Sequence, residues 1–269
     1  MSKTILITGA TDGIGLHTVR QLADQGHRLL IHGRNPVKLE RVKQDLRLQF
    51  PALEVTSYQA DFADLSAVQA LAGRVLDDHQ RLDVIINNAG VYKTAQPKTP
   101  TGLDVRFVVN TFAPILLTQS LLPSLSAAGR VVNLSSAAQA PVDLNALSGV
   151  VELEAMAAYA QSKLALTIWS QEMARIYPRG PVFLAVNPGS LLGTKMVKEG
   201  WGLQGQDISI GADIIVRAAL SSDFEGRSGS YFDNDKAAFD RPHPAASDQH
   251  SSSQLLGTIE TLITAHTAH

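Results

Sequence analysis

The sequence of 269 residues contains no cysteine. This absence excludes a disulfide framework and a metal site built on thiolate ligands, and it fits a reducing cell interior. A dominant charge of one sign is also lacking, because the formal net charge is only −2. So small an imbalance gives no general attraction to nucleic acid or to an anionic membrane surface. We therefore expect no nucleic-acid partner.

The N-terminal segment lacks a long hydrophobic run. Residues 1–10 read MSKTILITGA and enter a predicted β-strand at once. Their apolar stretch is shorter than the core of a signal peptide or a membrane span. We expect a cytoplasmic protein without an integral membrane segment. The eight histidines are scattered and show no metal-ligand spacing, so we expect no metal site.

Short apolar runs alternate along the chain with amphipathic segments of helix length. Several runs are almost continuously apolar, which is typical of parallel strands buried on both faces of a sheet. Repeated β-α units of this kind build a doubly wound parallel sheet, the Rossmann fold, with helices on both faces. We predict an α/β protein with one such domain of about seven strands. The predicted strands are TILIT, RLLIHG, LEVTSYQA, LDVIINNAG, RVVNLSS, VFLAVNPG and GSYFD.

One break in composition occurs near the C-terminus. Residues 240–253 read DRPHPAASDQHSSS and are rich in proline, serine and alanine. This composition predicts a flexible connection to a C-terminal helix or tail over residues 254–269. The Rossmann domain is then predicted to occupy residues 1–239, a length that one large α/β domain accommodates.

Three glycines, Gly9, Gly13 and Gly15, lie directly after the first predicted strand and at the start of the first helix. Glycine permits a tight turn here and lets the backbone approach a pyrophosphate, to which the helix N-terminus offers free N–H groups. The spacing G-x-x-x-G-x-G is not the commoner G-x-G-x-x-G, and a simple β-α turn is the alternative interpretation. The position within a β-α-β unit favours dinucleotide binding.

The end of the second predicted strand bears on the choice between NADP and NAD. An acidic residue there would hold the ribose 2′-hydroxyl of NAD, whereas an arginine accommodates the 2′-phosphate of NADP. Gly33 occupies the place of the acid, and Arg34 follows it. Asp12 in the glycine turn is a counter-signal, because some NADP-binding turns carry a basic residue there. The pattern favours NADP and leaves NAD possible.

Tyr159 precedes Lys163 by four residues in the predicted helix AYAQSKLAL. Positions i and i+4 lie on one face of a helix, so the two side chains point the same way. A nearby ammonium stabilises tyrosinate and lowers the phenol pKa from its usual value of about 10. The pair could make Tyr159 a proton donor, or it could be a core aromatic beside a chance lysine.

The order of several motifs resolves this ambiguity, because it resembles the short-chain dehydrogenase/reductase family over roughly residues 3–232. The motifs are TGATDGIG (8–15), NNAG (87–90), Asn110, NLSS (133–136), YAQSK (159–163) and NPG (187–189). Within the family, RVVNLSS, the long insert before Tyr159 and AYAQSKLAL resemble the retinol-dehydrogenase-like branch.

The resemblance implies four catalytic residues. Tyr159 would be the general acid/base, and Lys163 would lower its pKa and hold the nicotinamide ribose. Ser136, rather than Ser135, would bind the substrate carbonyl oxygen, and Asn110 would support a proton-relay water. A turn serine and a backbone-bonded helix asparagine are the structural alternatives for the last two residues.

The resemblance also implies a cofactor site for NADP or NAD. Asp61 would contact the adenine, residues 88–90 would line the adenosine ribose side, and residues 188–194 would position the nicotinamide carboxamide. The expected cofactor-binding residues are Gly9, Thr11, Asp12, Gly13, Ile14, Gly15, Arg34, Asn35, Asp61, Phe62, Asn88, Ala89, Gly90, Tyr159, Lys163, Pro188, Gly189 and Thr194.

An insert separates Ser136 from Tyr159 by more than many family members have. It is mostly apolar, and we expect it to cover the active-site mouth together with residues 191–206. An apolar lid suits an apolar small-molecule substrate such as an aldehyde, a ketone or a secondary alcohol.

Three functions stay open at this point. The motifs favour an oxidoreductase that interconverts a carbonyl and an alcohol by hydride transfer. An epimerase or dehydratase on the same scaffold usually carries a larger C-terminal substrate domain than the roughly 80 residues after Pro188. A non-catalytic nucleotide sensor typically loses the tyrosine or the lysine. The resemblance further suggests a homodimer or homotetramer formed through the long fourth and fifth helices.

Overall fold

Seven parallel strands and one antiparallel strand form a single sheet in the structure, a computed structural model that describes residues 2–267 apart from the side chain of Trp201. The strands are β1 (Thr4–Ile7), β2 (Arg28–Gly33), β3 (Val55–Gln59), β4 (Leu82–Asn87), β5 (Leu125–Leu134), β6 (Val182–Asn187), β7 (Tyr231–Asp233) and β8 (Ala238–Asp240). Their order in the sheet is β3-β2-β1-β4-β5-β6-β7-β8, with β8 antiparallel to β7. The order reverses between β1 and β4, where open α/β sheets bind ligands. The predicted doubly wound α/β fold is confirmed.

Helices cover both faces of this sheet. They are α1 (Gly13–Asp24), α2 (Pro36–Gln49), α3 (Leu65–Asp78), α4 (Val105–Phe107), α5 (Ala113–Leu121), α6 (Leu144–Leu147), α7 (Ala155–Ile176), α8 (Lys195–Trp201), α9 (Ser209–Leu220) and α10 (Gln249–Thr267). Successive strand residues point to opposite faces. Leu6 of β1 accordingly joins the core beneath α3, α5 and α7, whereas Ile5 and Ile7 join the core beneath α1, α2 and α9.

The first three helices begin after capping side chains. Asp12, Asn35 and Asp64 each accept hydrogen bonds from backbone N–H groups in the first turn of the helix that follows. Such caps satisfy donors that have no partner within the helix. The caps of α1 and α2 also fix where each helix starts beside the carboxyl ends of β1 and β2.

A π-helical turn over residues 108–112 joins α4 to α5, so Val105–Ser124 is one continuous helical stretch. By length and composition alone this stretch could cross a membrane. However, 83% of its most apolar window is buried inside the fold, where Phe107 and Phe112 are completely enclosed. The stretch therefore packs as a core helix against the sheet.

The C-terminal region differs from its predicted boundaries. Asp240 ends β8, and α10 begins at Gln249, inside the predicted flexible connection. The helix starts early because the Asp248 carboxylate accepts hydrogen bonds from the N–H groups of its first turn, at 3.0 and 3.2 Å. Residues 268 and 269, the end of the predicted tail, lie outside the described residues.

Helix α10 belongs to the folded core. Leu255, Ile259 and Ile263 recur every four residues on one face of this helix, and all three are buried in the core that contains α3, α5 and α7. Its neighbours include both α3 and α7. The periodic apolar residues of α10 therefore decide its position in the fold, although the proline and serine content before it suggested a flexible tail.

The turn after β1 brings two glycine backbones into close contact. A Cβ atom built on Gly15 would lie 2.2 Å from the carbonyl oxygen of Gly9 and 2.4 Å from Nδ2 of Asn88. Asn88 cannot move aside freely, because its amide donates hydrogen bonds to the carbonyl oxygens of Thr8 and Gly9. Glycine at position 15 is therefore a steric requirement of the fold.

We predict that Gly15→Ala lowers the free energy of unfolding by about 1–3 kcal/mol, the usual cost of overpacking. Urea denaturation checks this value. Gly73→Ala is the matched control, because Gly73 is an exposed helix residue with no neighbouring atom within 4 Å of a built Cβ. That change should stabilise the protein by about 0.5–1 kcal/mol. Equal stabilities of the two variants would contradict the steric argument.

Candidate active site

A cleft with a volume of about 520 Å³ opens at the carboxyl ends of the parallel strands. All the predicted cofactor-binding residues except Gly189 line it. Of the predicted catalytic residues, Tyr159 and Lys163 line the cleft. Ser136 and Asn110 do not line it, but they form hydrogen bonds to two residues that do, Tyr159 and Val91. The structure therefore brings nearly all the predicted site residues to one place.

The glycine turn forms the floor of this cleft. Gly9 and Gly13 have φ angles of +68° and +55°, which favour glycine. The hydroxyl oxygen of Thr8 accepts hydrogen bonds from the N–H groups of Asn88 and Ala89, at 3.1 and 3.0 Å, and so ties the turn to the loop after β4. A glycine-rich turn at a helix N-terminus suits a pyrophosphate. These residues fit a dinucleotide.

The end of β2 has no room for an acidic residue. A Cβ atom built on Gly33 would lie 2.5 Å from Cγ2 of Thr11 in the glycine turn. The next residue, Arg34, is exposed and lines the cleft. Within residues 2–267 no carboxylate lies within 4 Å of its guanidinium. A positive charge is thus available where a 2′-phosphate would bind.

A second cation lies beside Arg34 on the same wall. Lys38 forms an ion pair with Asp12, with 3.6 Å between Nζ and Oδ2, and both side chains line the cleft and are more than half exposed. Asp12 also accepts a hydrogen bond from the N–H of Gly13 at 2.8 Å. The ammonium of Lys38 offsets the negative charge of Asp12. This pairing weakens the argument against NADP that Asp12 provides in the sequence.

His32 connects the glycine turn to the predicted adenine loop. Its Nδ1 accepts a hydrogen bond from the N–H of Gly9 at 3.4 Å, and its Nε2 lies 3.1 Å from the carbonyl oxygen of Ala60. The imidazole stacks on Phe62, with ring centroids 4.2 Å apart. Burial lowers the pKa of His32 to about 4. The ring is therefore neutral, as the hydrogen bond that Nδ1 accepts requires, and Nε2–H donates to the Ala60 carbonyl oxygen.

Asp61, between these groups, stays partly exposed. Its carboxylate accepts a hydrogen bond from the N–H of Ala63 at 3.0 Å, which fixes the loop after β3. Asp61 and Phe62 both line the cleft. The loop thus presents a carboxylate and an aromatic edge at the end of the cleft that also holds Arg34.

Tyr159 lies at the other end of the cleft, near the start of α7, and is 9% exposed. Its ring meets Tyr92 edge to face, with centroids 5.5 Å apart. Burial raises the pKa of the Tyr159 phenol above its usual value, and a hydrogen bond to the Ser136 side chain counteracts the rise. The expected lowering of this pKa by Lys163 is not found, because burial raises the pKa and Ser136, not Lys163, is the group that counteracts it.

Lys163 lies one helical turn further along α7. Its Nζ is 5.6 Å from the centroid of the Tyr159 ring and donates a hydrogen bond to the carbonyl oxygen of Leu134 at 2.7 Å. Burial lowers the pKa of Lys163 to about 8. A Cβ atom built on Gly90 would lie 3.6 Å from this ammonium, so the loop after β4 passes directly beside Lys163.

The two serines after β5 have different surroundings. The hydroxyl of Ser135 is buried and shares a hydrogen bond of 2.7 Å with the hydroxyl of Thr167 in α7. Ser136 is partly exposed, and its side chain bonds to the Tyr159 phenol. Its carbonyl oxygen accepts a hydrogen bond from the Tyr231 hydroxyl at 3.1 Å. The structure therefore orients Ser136, and not Ser135, towards the phenol.

Asn110 occupies the centre of the π-helical turn and is 1% exposed. Its Oδ1 accepts a hydrogen bond from the N–H of Val91 at 2.8 Å, and its Nδ2 donates to the Val91 carbonyl and to the Ser162 hydroxyl, both at 3.0 Å. The amide oxygen and the amide nitrogen of Asn110 thus both form hydrogen bonds, and these bonds join the loop after β4 to α7. Single π turns often occur at functional sites.

The loop after β6 carries the remaining predicted residues. Pro188 and Thr194 line the cleft, whereas Gly189 does not. Gly189 has a φ angle of +122°, and Leu191 has a φ angle of +53° although it is not glycine. The left-handed conformation costs a residue such as leucine about 1–2 kcal/mol. Other contacts must hold this loop in place.

Only one of the two predicted lid segments covers the cleft. Helix α8 does so, since Met196 and Glu199 line the cleft and a Cβ built on Gly200 would lie 2.8 Å from the Tyr92 ring. In the described chain, no residue of the insert AQAPVDLNALSGVVELEAMA (138–157) lines it. Ala146 and Leu147 of α6 are instead buried in the core with α7. Burial of these apolar residues draws the insert away from the cleft.

Several cleft residues were not predicted from the sequence, among them Tyr92, His32 and Lys38. Tyr92 follows the NNAG motif by two positions, His32 is a polar residue within an apolar strand, and Lys38 lies one turn into α2. Only the position of Tyr92 next to a motif offered a usable signal. The roles of His32 and Lys38 depend on contacts between distant parts of the chain.

Comparison with known proteins defines the family. Residues 3–201 match the family model described as short chain dehydrogenase. Because this match covers most of the sequence, the chain belongs to the short-chain dehydrogenase family, and the resemblance is confirmed. It is accordingly an NAD(P)-dependent oxidoreductase of CH–OH groups.

Particular relatives narrow the class. Retinol dehydrogenase 12 of Mus musculus is 35% identical over 248 residues, which cover 87% of this chain and 78% of the relative. This likeness confirms the retinol-dehydrogenase-like branch.

A protein of Mycobacterium paratuberculosis has a similar structure, with a TM-score of 0.80 and 26% identity over 97% of this chain and 93% of that chain. A short-chain dehydrogenase of Shigella flexneri 2a complexed with NADP has a TM-score of 0.69 and 27% identity, covering 87% of this chain and 97% of that chain.

We predict that acid destabilises the protein partly through His32. Between its usual pKa of 6.5 and its folded pKa of about 4, the unfolded chain binds a proton that the folded chain excludes. Stability should therefore fall as the pH drops through this window, by up to roughly 3 kcal/mol from this residue. Urea denaturation at several pH values should show a weaker pH dependence in His32→Gln than in the wild type.

The exposed His250→Gln is the control for this experiment and should retain the wild-type pH dependence. A His32→Gln variant that loses stability with acid as steeply as the wild type would show that the neutral imidazole does not contribute.

Proposed function

We propose that the protein is an NADP-dependent oxidoreductase that interconverts an apolar aldehyde or ketone and its alcohol, with Tyr159 as the general acid/base. One observation carries this proposal. The Tyr159 phenol, bonded to Ser136 and one helical turn from Lys163, lies in the same cleft as the glycine turn. That arrangement supports the role of Tyr159 as a proton donor next to a bound dinucleotide.

The side chains have separate roles in carbonyl reduction. Negative charge develops on the carbonyl oxygen as the carbonyl carbon is reduced, and Ser136 and Tyr159 both donate hydrogen bonds to that oxygen. Tyr159 then transfers its proton to the oxygen. The buried ammonium of Lys163 stabilises the tyrosinate that remains. The bound dinucleotide supplies the hydride.

Burial explains why these residues act together. The raised pKa of Tyr159 keeps the phenol protonated, and nearby positive charge would lower this pKa. A bound cofactor in its oxidised form would bring such a charge, and Tyr159 would then lose its proton more readily in the direction of alcohol oxidation. Interactions between charges are stronger in this water-poor site than at the surface.

Three observations support NADP over NAD. Gly33 leaves no room for a ribose-binding acid, Arg34 is available at the cleft, and Lys38 offsets the charge of Asp12. The Shigella flexneri structure, which shares the fold and the family, contains NADP. NAD remains the alternative cofactor.

The substrate class follows from the walls of the cleft and from the relatives. Val91, Val109 and Met196 give the cleft apolar surface near Tyr92 and Tyr159. The related mouse protein is named for retinol, a long apolar alcohol. We therefore propose an apolar alcohol–carbonyl pair as the substrate, in either direction of reaction.

A panel of apolar aldehydes and ketones, incubated with NADPH or NADH while cofactor absorbance is followed, tests the reaction class. Net oxidation of NADPH supports the proposal. A nucleotide sensor would bind the cofactor without consuming it, and an epimerase or dehydratase would leave its absorbance unchanged after turnover.

We predict that Tyr159→Phe lowers kcat by about 10²–10⁴-fold, because the general acid is lost, and leaves NADPH binding within about twofold of the wild type. Stopped-flow kinetics and cofactor fluorescence measure the two quantities. Tyr177→Phe, at the end of α7 and outside the cleft, is the control and should not change kcat. Full activity of Tyr159→Phe would refute the assignment.

We predict that Arg34→Ala weakens NADPH binding by about tenfold to a hundredfold, because a charge-assisted hydrogen bond to the 2′-phosphate is lost. NADH binding should change little. Arg41→Ala, which changes an exposed arginine of α2 that pairs with Asp45, is the matched control. Calorimetric titration of both cofactors measures the ratio, and an unchanged NADPH/NADH preference would contradict the cofactor assignment.

A further inference from the structure

The turn between β7 and β8 lies beside the loop that follows β6. Strand β6 pairs with β7 in parallel, with Asn187 opposite Asp233. The 233–236 turn therefore leaves the sheet next to the 187–191 loop. Two residues of the segment that follows β6, Pro188 in this loop and Thr194 just beyond it, line the cleft.

Asp235 bonds to the 187–191 loop with both carboxylate oxygens. Its Oδ1 accepts a hydrogen bond from the N–H of Ser190 at 2.8 Å. Its Oδ2 accepts one from the Ser190 hydroxyl at 2.5 Å and one from Nδ2 of Asn187 at 2.9 Å. Charge-assisted hydrogen bonds of this kind are stronger than neutral ones. All three act on the loop.

Neighbouring residues of the turn complete the connection. Asp233 accepts a second hydrogen bond from Nδ2 of Asn187 at 2.7 Å, and the Nδ2 of Asn234 donates to the Pro188 carbonyl at 2.9 Å. Within the loop, the N–H of Gly189 donates to Oδ1 of Asn187 at 3.2 Å. Each residue from 187 to 190 is therefore bonded to the turn or to Asn187.

These bonds hold a backbone that would not keep its shape alone. Leu191, with its left-handed φ of +53°, follows directly after Ser190, which Asp235 holds twice. The base of the turn is itself fixed, because Phe239 of β8 packs against Phe232 of β7 and against Phe224, with ring centroids 5.1 and 5.2 Å apart. The turn is thus a firm support for a strained loop.

Asp235 is exposed, which distinguishes loop positioning from general stability. A substitution there leaves no buried cavity and no unpaired buried charge, so the fold should tolerate it. Desolvation alone would raise the pKa of Asp235, but the hydrogen bonds from Ser190 and Asn187 outweigh it and hold this pKa below its usual value. The carboxylate is ionised at neutral pH and available to the loop.

We infer that Asp235 is a positioning residue for the nicotinamide half of the cofactor site. Through Ser190 and Asn187 it holds the 187–191 loop in the shape that presents Pro188 and Thr194 to the cleft. This inference rests on the proposed function. The adenosine half of the site, at Arg34 and the glycine turn, does not contact Asp235 and serves as an internal reference.

The test compares two ligands on Asp235→Ala in the full-length protein. NADPH occupies both halves of the site, whereas 2′,5′-ADP occupies the adenosine half only. We expect NADPH to bind about tenfold more weakly and 2′,5′-ADP to bind within about twofold of the wild type. Asp235→Asn keeps Oδ1 as an acceptor for the Ser190 N–H and should recover part of the NADPH affinity.

A second measurement needs no cofactor. The N–H groups of Gly189 and Ser190 are protected by Asn187 and Asp235, so their hydrogen exchange should be faster in Asp235→Ala without ligand. Lys236→Ala is the matched control, because Lys236 pairs with Asp233 and Asp240 within the hairpin. It should leave exchange in the loop and both affinities unchanged.

Equal weakening of NADPH and 2′,5′-ADP would overturn the inference, because it would indicate a general structural defect. So would unchanged NADPH affinity with unchanged exchange at Gly189 and Ser190. If the wild type itself binds neither ligand, the proposed function fails and the inference fails with it. Failure of the proposed function is distinguished from failure of the inference, because it is seen in the wild type before any substitution is made.

Discussion

The backbone after β1 passes against the loop after β4 with no space for a side chain between them. Gly15 approaches the Gly9 carbonyl oxygen, and Gly9 approaches the Ala89 backbone. Thr8 and the Asn88 amide then join the two loops by hydrogen bonds. Because β1 and β4 flank the point where the strand order reverses, this contact sets the floor of the cleft, and every other wall is placed relative to it.

The remaining walls are held in place by hydrogen bonds from polar side chains to the loops around the cleft. Asn110 ties the loop after β4 to α7, and Asp235 ties the loop after β6 to the β7–β8 hairpin. His32 joins the loops after β1 and β3. Each strand end is thus connected to a neighbour by amide, carboxylate or imidazole groups. This arrangement keeps irregular backbone rigid at the edge of a parallel sheet, where loops have little packing of their own.

The sequence predicted the sheet, the cleft and most of its lining because these depend on local patterns. Apolar runs specify buried strands, and glycine at Gly9, Gly13 and Gly15 follows from the space that the turn requires. Contacts between distant segments were not predictable. The pKa of Tyr159 depends on its burial, which the spacing to Lys163 does not report. The insert after Ser136 looked like a lid, since its apolar residues carry no information about which neighbour they pack against.

Helix α10 lies across a surface that the family resemblance assigns to subunit contact. Its buried residues enter the core shared by α5 and α7, and a cavity of about 290 Å³ between the three helices is lined by Ile115, Trp169 and Leu256 among others. A second copy approaching through α5 and α7 would meet a segment already tethered to that place. Tethering by a short connection corresponds to an effective concentration of the order of millimolar. Helix α10 is thus an intramolecular occupant of the surface through which the family resemblance suggests self-association.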